Sequence, residues 1–398
     1  MIRFSDSVDE FHEAAREACG LDDFGEDDYL EALHVLCASL DEDARLSPVG
    51  VEATRGMIID SLRARLLAEE GWKCFPDSAE TRIERPLVII GLPRSGTTAL
   101  HHLLSQAPGL QGLEHWLLRN PKPRPPRDRW RQDPDFLACQ ARLEAIYERS
   151  PEMRAIHEIE ADLPDECWLL LSQTFTHCSW EANANVTGYA RWWADCDMRP
   201  AYRRHRRNAQ LIGHLEPESR WLLKDANHLF NLESMLEVYP DALVVQTHRD
   251  PVKVIASVCS LCWSSRLPLN EGMDPRAFGR ATVDLWERSI TRMMSARSRC
   301  PDARFHDLGF ERFVEDPLAA IREIHEAFDL PYDEASEAAI RAFRAAHPPG
   351  RHGRHAYSLE QWGLEAEEIR ERFRPYLEAY DVSSGHEQPG GKRRGLPR

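Results

Sequence analysis

The segment 86–98 constrains the fold of this chain more strongly than any other stretch. Residues 86–91 (PLVIIG) form a short, continuous apolar run that is rich in β-branched residues and ends in glycine, which is typical of a strand buried on both faces. A tight loop follows, and the residues from Thr97 to Gln106 have a helical pattern. A buried strand, a loop and a helix in this order predict the start of a parallel α/β sheet.

Two further strands and their connecting helix support a three-layer α/β fold with a central parallel sheet. Residues 221–224 and 242–247 have strand patterns with an amphipathic helix between them, and residues 303–308 are a weaker strand candidate. A strand, a helix and a strand in this order predict a right-handed parallel crossover. Asp250-Pro251 is typical of a helix start, because Asp can accept hydrogen bonds from the free amides and proline fits the first helical position.

The patterns divide the chain into three regions. Residues 1–80 are acidic and predict a helical N-terminal segment, residues 81–385 form the main domain with a helical insertion at about 134–215, and residues 386–398 form a basic flexible tail. The segment 119–131 (RNPKPRPPRDRWR) is too rich in proline for a helix and too charged for a core. We therefore expect a loop there, and favour a solvated connector over a lid that attracts anions.

The composition argues against several classes of protein. The chain has 398 residues, of which 42% are hydrophobic and 29% charged, and no apolar run approaches the roughly 18–20 residues that a transmembrane helix needs. Its N-terminus soon turns acidic, unlike a signal peptide, so we expect a cytoplasmic protein whose ten cysteines are reduced. The formal net charge of −16 argues against general nucleic-acid binding, since phosphate backbones attract positive charge. Anionic ligands therefore need a local basic site.

The loop at residues 91–98 (GLPRSGTT) has the chemistry of an anion site. A glycine-bounded loop between a buried strand and a helix presents backbone N–H groups and the positive end of the helix dipole to an anion. Its two glycines have the spacing of a Walker A loop, but Thr97 stands where the lysine belongs and Arg94 lies inside the loop. The apolar strand best suited to carry a magnesium-binding acid ends instead in QTHR at 246–249.

These residues resemble the sulfotransferases that use 3′-phosphoadenosine-5′-phosphosulfate (PAPS). The phosphosulfate loop of that family reads P-[KR]-[ST]-G-T-T and is matched by residues 93–98. The second signature, a strand ending in arginine and a serine on the following helix, is matched by Arg249 and Ser257, and in the family both bind the 3′-phosphate. The similarity is closest to the bacterial and tyrosylprotein-type branch over about residues 86–380, although Ala226 replaces the proline of a Lys-Asp-Pro-x-His segment.

The resemblance implies a P-loop-type fold and transfer of a sulfuryl group from PAPS to the hydroxyl of a small-molecule or lipidic acceptor, with no metal. Arg94 and the loop amides are expected to hold the transferring and leaving oxygens. The implied donor-binding residues lie in the loop, at strand ends and in a C-terminal basic segment: Arg94, Ser95, Gly96, Thr97, Thr98, Lys224, Arg249, Ser257 and Arg354.

The general base is the part of the site that the sequence leaves open. An acceptor hydroxyl must lose its proton as it attacks, so a histidine or carboxylate should lie within hydrogen-bond reach. The first candidate pair lies at about the distance from the loop arginine at which tyrosylprotein-type relatives carry their catalytic glutamate, and the second precedes Asp165-Glu166-Cys167 as a His/Glu segment does in bacterial relatives. The candidates are Glu114 and His115, then His157 and Glu158, and finally His228.

Two other functions stay open on the residues alone. A P-loop kinase or NTPase would need magnesium-bound ATP and an acidic metal ligand, for which the sequence offers no candidate at the expected strand end. A nucleotide-binding protein that has lost catalysis would keep the loop and form no sulfated product. For the acceptor, the tryptophan-rich insertion favours a small or lipidic alcohol.

Overall fold

A five-stranded parallel sheet forms the centre of the computed structural model, which describes residues 3–149, 159–348 and 358–382. The strand order is β2-β3-β1-β4-β5. The strands are β1 (Leu87–Gly91), β2 (Leu110–Gln111), β3 (Arg220–Lys224), β4 (Leu243–His248) and β5 (Arg304–Gly309). The expected α/β fold with a central parallel sheet is confirmed, and the sequence analysis missed only the two-residue edge strand β2.

The central strand β1 explains the unbroken apolar run in the sequence. It lies between β3 and β4 and is buried along its whole length. Val88 and Ile90 belong to the larger of two hydrophobic cores, whereas Leu87 and Ile89 belong to the smaller one. Because successive side chains of a strand point to opposite faces, a strand that is covered on both faces must be apolar at every position.

Helices cover both faces of the sheet. Before β1 lie α1 (Val8–Cys19), α2 (Leu30–Glu42) and α3 (Pro48–Cys74). Between β1 and β3 lie α4 (Thr97–Leu104), α5 (His115–Arg119), α6 (Pro134–Arg149), α7 (Trp168–Leu171), α8 (Ser179–Asn183), α9 (Thr187–Ala194) and α10 (Arg199–Ile212). After β3 lie α11 (Asn227–Phe230), α12 (Leu232–Val238), α13 (Pro251–Arg266), α14 (Pro275–Arg299), α15 (Phe310–Glu315), α16 (Pro317–Ala327), α17 (Glu334–Ala346), α18 (Ala366–Arg372) and α19 (Arg374–Ala379).

The N-terminal helices and the insertion share the larger core. The backbone amide of Gly188 in α9 donates to the carboxylate of Asp43 at 2.7 Å, directly after α2. Arg65 of α3 is fully buried and donates to the backbone oxygens of Phe24 at 2.6 Å and Gln173 at 3.1 Å. Hydrogen bonds therefore connect the N-terminal helices to the insertion between β1 and β3. Within the described ranges, no helix is both long and apolar enough to cross a membrane.

The segment 119–131 is a loop for part of its length, as expected, but it is not solvated throughout. Arg124 is 3% exposed, and its guanidinium donates to Glu114 Oε2 at 3.0 Å and to Gln111 Oε1 at 2.6 Å. Lys122 contacts carboxylates at the start of α6. The expectation of a solvated connector is therefore wrong at Arg124, because buried acceptors outside the segment pair with its charge.

Candidate active site

The loop between β1 and α4 is held tightly against the end of β4. Arg94 has a φ of 66° and Gly96 a φ of 88°, and these left-handed conformations turn the chain into α4. A Cβ atom at Gly91 would lie 2.1 Å from Thr247 Oγ1, so the side chain of Thr247 occupies the space that a side chain at Gly91 would need. Ser95 Oγ is hydrogen-bonded to Thr247 Oγ1 at 2.6 Å. The amides at the start of α4 are thereby fixed beside β4.

The two signatures found in the sequence meet at this loop. Arg249, directly after β4, donates a hydrogen bond to the backbone oxygen of Arg94. Arg94 Nε in turn donates to Ser257 Oγ on α13 at 3.2 Å. The guanidinium of Arg249 also lies 3.9 Å from the ring centre of Phe310. Its buried Nε has no hydrogen-bond partner among the residues that the structure describes, so it is a donor that an anionic ligand could use.

On the other side of the loop, Lys224 connects α4 to a carboxylate of the insertion. Lys224 is 2% exposed and lies at the end of β3. Its Nζ donates to Thr98 Oγ1 at 3.1 Å and to Glu166 Oε1 at 2.5 Å. The sequence analysis used Glu166 only to mark the segment after a candidate base and did not select it. The sequence did contain a hint, because Asp165 and Glu166 form an acidic pair just after that segment. In the folded chain, Glu166 of this pair reaches Lys224 beside the loop.

The turn after Lys224 is held by Asp225 and Asn227. Asp225 Oδ1 accepts hydrogen bonds from the backbone and side-chain nitrogens of Asn227 at 2.8 and 2.7 Å. Asn227 Oδ1 accepts a further bond from the amide of Cys178 at 2.7 Å, which attaches the insertion to this turn. Burial, and then the neighbouring Glu166 carboxylate, raise the pKa of Asp225. Two acidic groups therefore share the site with Lys224.

A cavity of about 490 Å³ opens beside the loop. Its wall includes residues of the loop and of the Lys224 cluster: Pro93, Thr97, Glu166, Lys224 and Asp225. A second part of the wall is apolar and includes Val186, Val258, Leu261, Leu285 and Trp286. A hydroxyl group that enters this cavity can therefore approach the loop while an apolar body packs behind it.

Comparison with known proteins decides the family. A profile described as the sulfotransferase family matches residues 86–334, which is more than half of the chain. The chain belongs to this family. The resemblance inferred from the loop and from the Arg249/Ser257 pair is thus confirmed at the level of the family.

Two crystal structures of mycobacterial sulfotransferases share the whole fold. Sulfotransferase STF1 from Mycobacterium tuberculosis H37Rv is 38% identical, covers 94% of this chain and 100% of its own, and has a TM-score of 0.87. Sulfotransferase STF9 from Mycobacterium avium is 29% identical, with 94% and 97% coverage and the same TM-score of 0.87. The N-terminal helices are therefore part of the compared fold as well.

A curated relative matches a shorter region. The omega-hydroxy-beta-dihydromenaquinone-9 sulfotransferase Stf3 of Mycobacterium bovis is 25% identical over 161 residues, which is 38% of this chain and 40% of the relative. The same match is found for Stf3 of Mycobacterium tuberculosis. The match thus spans about 40% of the length of these curated relatives.

Glu114 and His115, the first two candidate bases, lie at the start of α5, and each is hydrogen-bonded to other side chains of the protein. Glu114 is bonded to Arg124 at 3.0 Å, and burial raises its pKa despite that arginine. His115 Nδ1 is 2.7 Å from Asp165 Oδ2, and its Nε2 accepts a hydrogen bond from Arg119 at 3.2 Å. Among the described residues that line the cavity, neither candidate occurs. His115 instead holds Asp165, the residue before Glu166, through a hydrogen bond.

The remaining candidates are apart from the loop or outside the described residues. His228 lies in α11, and its Nδ1 is 2.9 Å from the hydroxyl of Tyr202. Burial lowers the pKa of His228 to about 3, so its imidazole is neutral. His157, Glu158 and Arg354 lie outside the described ranges. Of the sequence candidates, the structure therefore brings together Arg94, Lys224, Arg249, Ser257 and residues 95–98.

Proposed function

We propose that this sulfotransferase transfers the sulfuryl group of PAPS to the hydroxyl of a lipid-like alcohol. The observation that carries the proposal is the convergence of Arg94, Arg249, Ser257 and Lys224 on one glycine-bounded loop that opens into a cavity. β4 ends in His248 and is followed by Arg249, where a magnesium-dependent P-loop enzyme would carry an acid. The next residue, Asp250, caps α13 by accepting a hydrogen bond from the amide of Val252. Such an arrangement favours a donor with a second phosphate over ATP bound through magnesium.

The donor-binding side can be assigned residue by residue. The amides at the start of α4, together with Arg94, would hold the phosphosulfate, because a helix N-terminus and a guanidinium both stabilise anions. Arg249 and Ser257 would hold the 3′-phosphate, and the buried Nε of Arg249 would supply one donor. When bound, PAPS supplies a sulfuryl group joined to a phosphate that can leave. A contribution of Arg354 stays a prediction.

We propose Glu166 as the general base. Its side chain is 25% exposed and lines the cavity next to the loop, where an acceptor hydroxyl would enter. Lys224 orients this carboxylate and also contacts Thr98 at the start of α4, so its positive charge would help to stabilise the leaving phosphate of a donor bound at the loop. None of the candidate bases from the sequence that the structure describes lines the cavity and contacts Lys224 in this way. Glu114, His115, His157, Glu158 and His228 remain alternatives that mutation can test.

A lipid-like acceptor is supported by the cavity and by a relative. The side chains of Val258, Leu261 and Trp286 give part of the wall an apolar surface. The curated relative Stf3 is named for a hydroxylated menaquinone derivative, whose long apolar chain suits such a wall. The cytoplasmic location inferred from the sequence stays a prediction.

Titration calorimetry with 3′-phosphoadenosine 5′-phosphate (PAP) tests the donor site. We expect PAP to bind, and Arg249→Ala to weaken binding about 10- to 100-fold, since hydrogen bonds to charged groups contribute about 1.5–3 kcal/mol. Arg304→Ala is the matched control, because Arg304 lies at the start of β5, the strand next to β4, and pairs with Asp329 at 3.2 Å. Binding of magnesium-ATP without PAP would instead support a kinase. PAP binding without sulfation of any hydroxylated lipid would support an inactive nucleotide-binding protein.

A further inference from the structure

The cavity wall carries a group of arginines that the donor site does not use. They are Arg191, Arg266 and Arg288. Arg266 ends α13, the helix on which Ser257 bonds to Arg94. Because a helix rises about 1.5 Å per residue, Arg266 lies roughly 13 Å along the helix axis from Ser257. The arginines therefore form a second positively charged region at a distance from the loop.

The guanidinium groups of Arg266 and Arg288 are only partly satisfied by the protein. Arg266 Nη1 donates to the backbone oxygen of Glu181 at 3.3 Å, and Arg288 Nη2 donates to Glu181 Oε1 at 3.2 Å. The Nε atoms of both arginines are buried and have no hydrogen-bond partner within the described ranges. A buried donor without a partner costs free energy, and a ligand oxygen that reaches it recovers that cost.

The local charge of this region is positive, although the whole chain carries a formal charge of −16. Among the described residues, the Glu181 carboxylate pairs with Arg288, and its charge also acts on Arg266, which it contacts only through its backbone oxygen. Asp284, another acid of the cavity wall, is bonded to Arg372 at 2.7 Å, and Arg372 also pairs with Glu287. Burial lowers the pKa of Arg266, as expected for a cation whose charge is incompletely balanced. An anionic ligand group would balance it.

Between the loop and the arginines, α13 presents apolar side chains to the cavity. Val258 and Leu261 lie one and four residues after Ser257 and line the wall together with Trp286. An occupant that spans this distance must be apolar in its middle and anionic at the end near Arg266. We infer that the acceptor is an amphipathic hydroxy acid, whose hydroxyl faces the loop and whose carboxylate is bound by Arg266 and Arg288. This inference rests on the proposed function, which places the reacting hydroxyl at the loop.

A matched pair of ligands tests this inference directly. Binding of 12-hydroxydodecanoate and of 1-dodecanol to the PAP-saturated protein can be followed by tryptophan fluorescence, since Trp286 lines the cavity. We expect the hydroxy acid to bind at least about tenfold more tightly than the alcohol, the effect of one charge-assisted hydrogen bond. In Arg266→Gln, where only Arg288 is left to bind the carboxylate, the ratio of the two affinities should fall to about two- to threefold or less. Arg266→Lys, which keeps the charge but loses the planar fork, should give an intermediate ratio.

The control for these variants is Arg280→Gln, which changes an exposed arginine of α14 outside the cavity wall and should keep the wild-type ratio. Equal affinities of the wild-type protein for the acid and the alcohol would overturn the inference, as would an undiminished ratio in Arg266→Gln. Thermal unfolding of each variant separates a lost contact from a lost fold, and Arg266→Lys remains informative if the glutamine variant unfolds. Absence of PAP binding to the wild-type protein would overturn the proposed function instead.

Discussion

Glu166 lines the cavity and is connected to the loop at residues 91–98 through Lys224. The role proposed for Glu166 can be tested by removing its charge. We expect Glu166→Gln to lower kcat for sulfation about 10²- to 10⁴-fold, the usual contribution of a general base. The amide keeps an oxygen that can accept the bond from Lys224, so PAP affinity should change little. Single-turnover sulfation with labelled PAPS, combined with PAP titration, measures both quantities.

Glu114→Gln is the matched control for Glu166→Gln. Glu114 is buried against Arg124 rather than exposed to the cavity, so we expect kcat to stay within a few-fold of the wild-type value. Stability should fall by about 1–3 kcal/mol, because a buried charge-assisted hydrogen bond is weakened. If Glu114→Gln abolishes turnover and Glu166→Gln does not, the assignment of the base to Glu166 is wrong.

Asp225 should make the stability of the folded protein depend on pH. Burial and the nearby Glu166 raise its pKa from 3.8 to about 7 in the folded protein. Between about pH 4 and pH 7 the folded state therefore binds more protons at this site than the unfolded state, and the contribution of Asp225 to stability falls as the pH rises.

Urea unfolding at several pH values measures this effect. Relative to Asp225→Asn, the wild-type protein should lose stability from pH 4 to pH 7, by about 1.4 kcal/mol for each unit of pKa shift. The variant keeps an oxygen that can accept the bonds from Asn227. Asp302→Asn, at an exposed position, should keep the wild-type profile. Parallel profiles for the wild-type protein and Asp225→Asn would show that Asp225 is ionised throughout this range.

Among the helices, α19 contacts the proposed donor site through Tyr376. The hydroxyl of Tyr376 lies 3.1 Å from His248 Nδ1 and is hydrogen-bonded to the backbone of Arg249. Without that hydroxyl, Arg249 is held less firmly beside the loop. We therefore expect Tyr376→Phe to weaken PAP binding about 3- to 10-fold, consistent with a loss of roughly 1 kcal/mol, while the KM for the acceptor changes little.

The neighbouring tyrosine of the same helix region is the control for α19. Tyr380 stacks on His248 with ring centres 4.3 Å apart, and its hydroxyl contacts Met293 Sδ at 3.7 Å. Tyr380→Phe keeps the stacked ring and should leave PAP affinity unchanged in calorimetry. Equal losses in Tyr376→Phe and Tyr380→Phe would indicate a general loosening of α19 rather than a specific support of Arg249.

Substitution of Arg65 tests how much the contact between the N-terminal helices and the insertion contributes to the stability of the whole molecule. It is fully buried, pairs with Asp28 at 2.6 Å and donates to Phe24 and Gln173, so it joins α3 to the insertion. Arg65→Ala leaves these acceptors without their donor, and we expect the free energy of unfolding to fall by about 3–5 kcal/mol. Chemical denaturation of the full chain is the measurement.

Arg55→Ala provides the matched control on the same helix. Arg55 pairs with Glu10 at 2.6 Å on the surface, and such pairs contribute less than about 1 kcal/mol. An equally mild effect of Arg65→Ala would mean that residues 1–80 form an independent unit. The division of the chain at residues 80 and 385 stays a prediction until then.

Local sequence patterns were sufficient for the framework of the fold. The strands at 87–91, 220–224 and 243–248 were foreseen, because their burial in the sheet leaves a short apolar run in the sequence. The edge strand at 304–309 is mostly exposed or half-buried, and the sequence accordingly offered it only as a weaker candidate. The edge strand β2 was missed, since two residues carry no periodicity. The burial of Arg124 was missed because it depends on partners supplied by other segments.

Short-range patterns in the sequence were enough to locate the loop and the residues that surround it. The pattern at 86–98 requires a strand, a turn and a helix, and Arg249 and Ser257 belong to one strand–helix corner, so short-range geometry sets their positions. Which carboxylate reaches the loop, and which residues line the cavity, depend on how distant segments fold together. Glu166 and Lys224 lie 58 positions apart, and their contact forms only when the insertion folds across the sheet. Hydrophobic periodicity and helix capping act over a few residues, whereas charge pairing and cavity shape depend on segments that meet only in the folded chain.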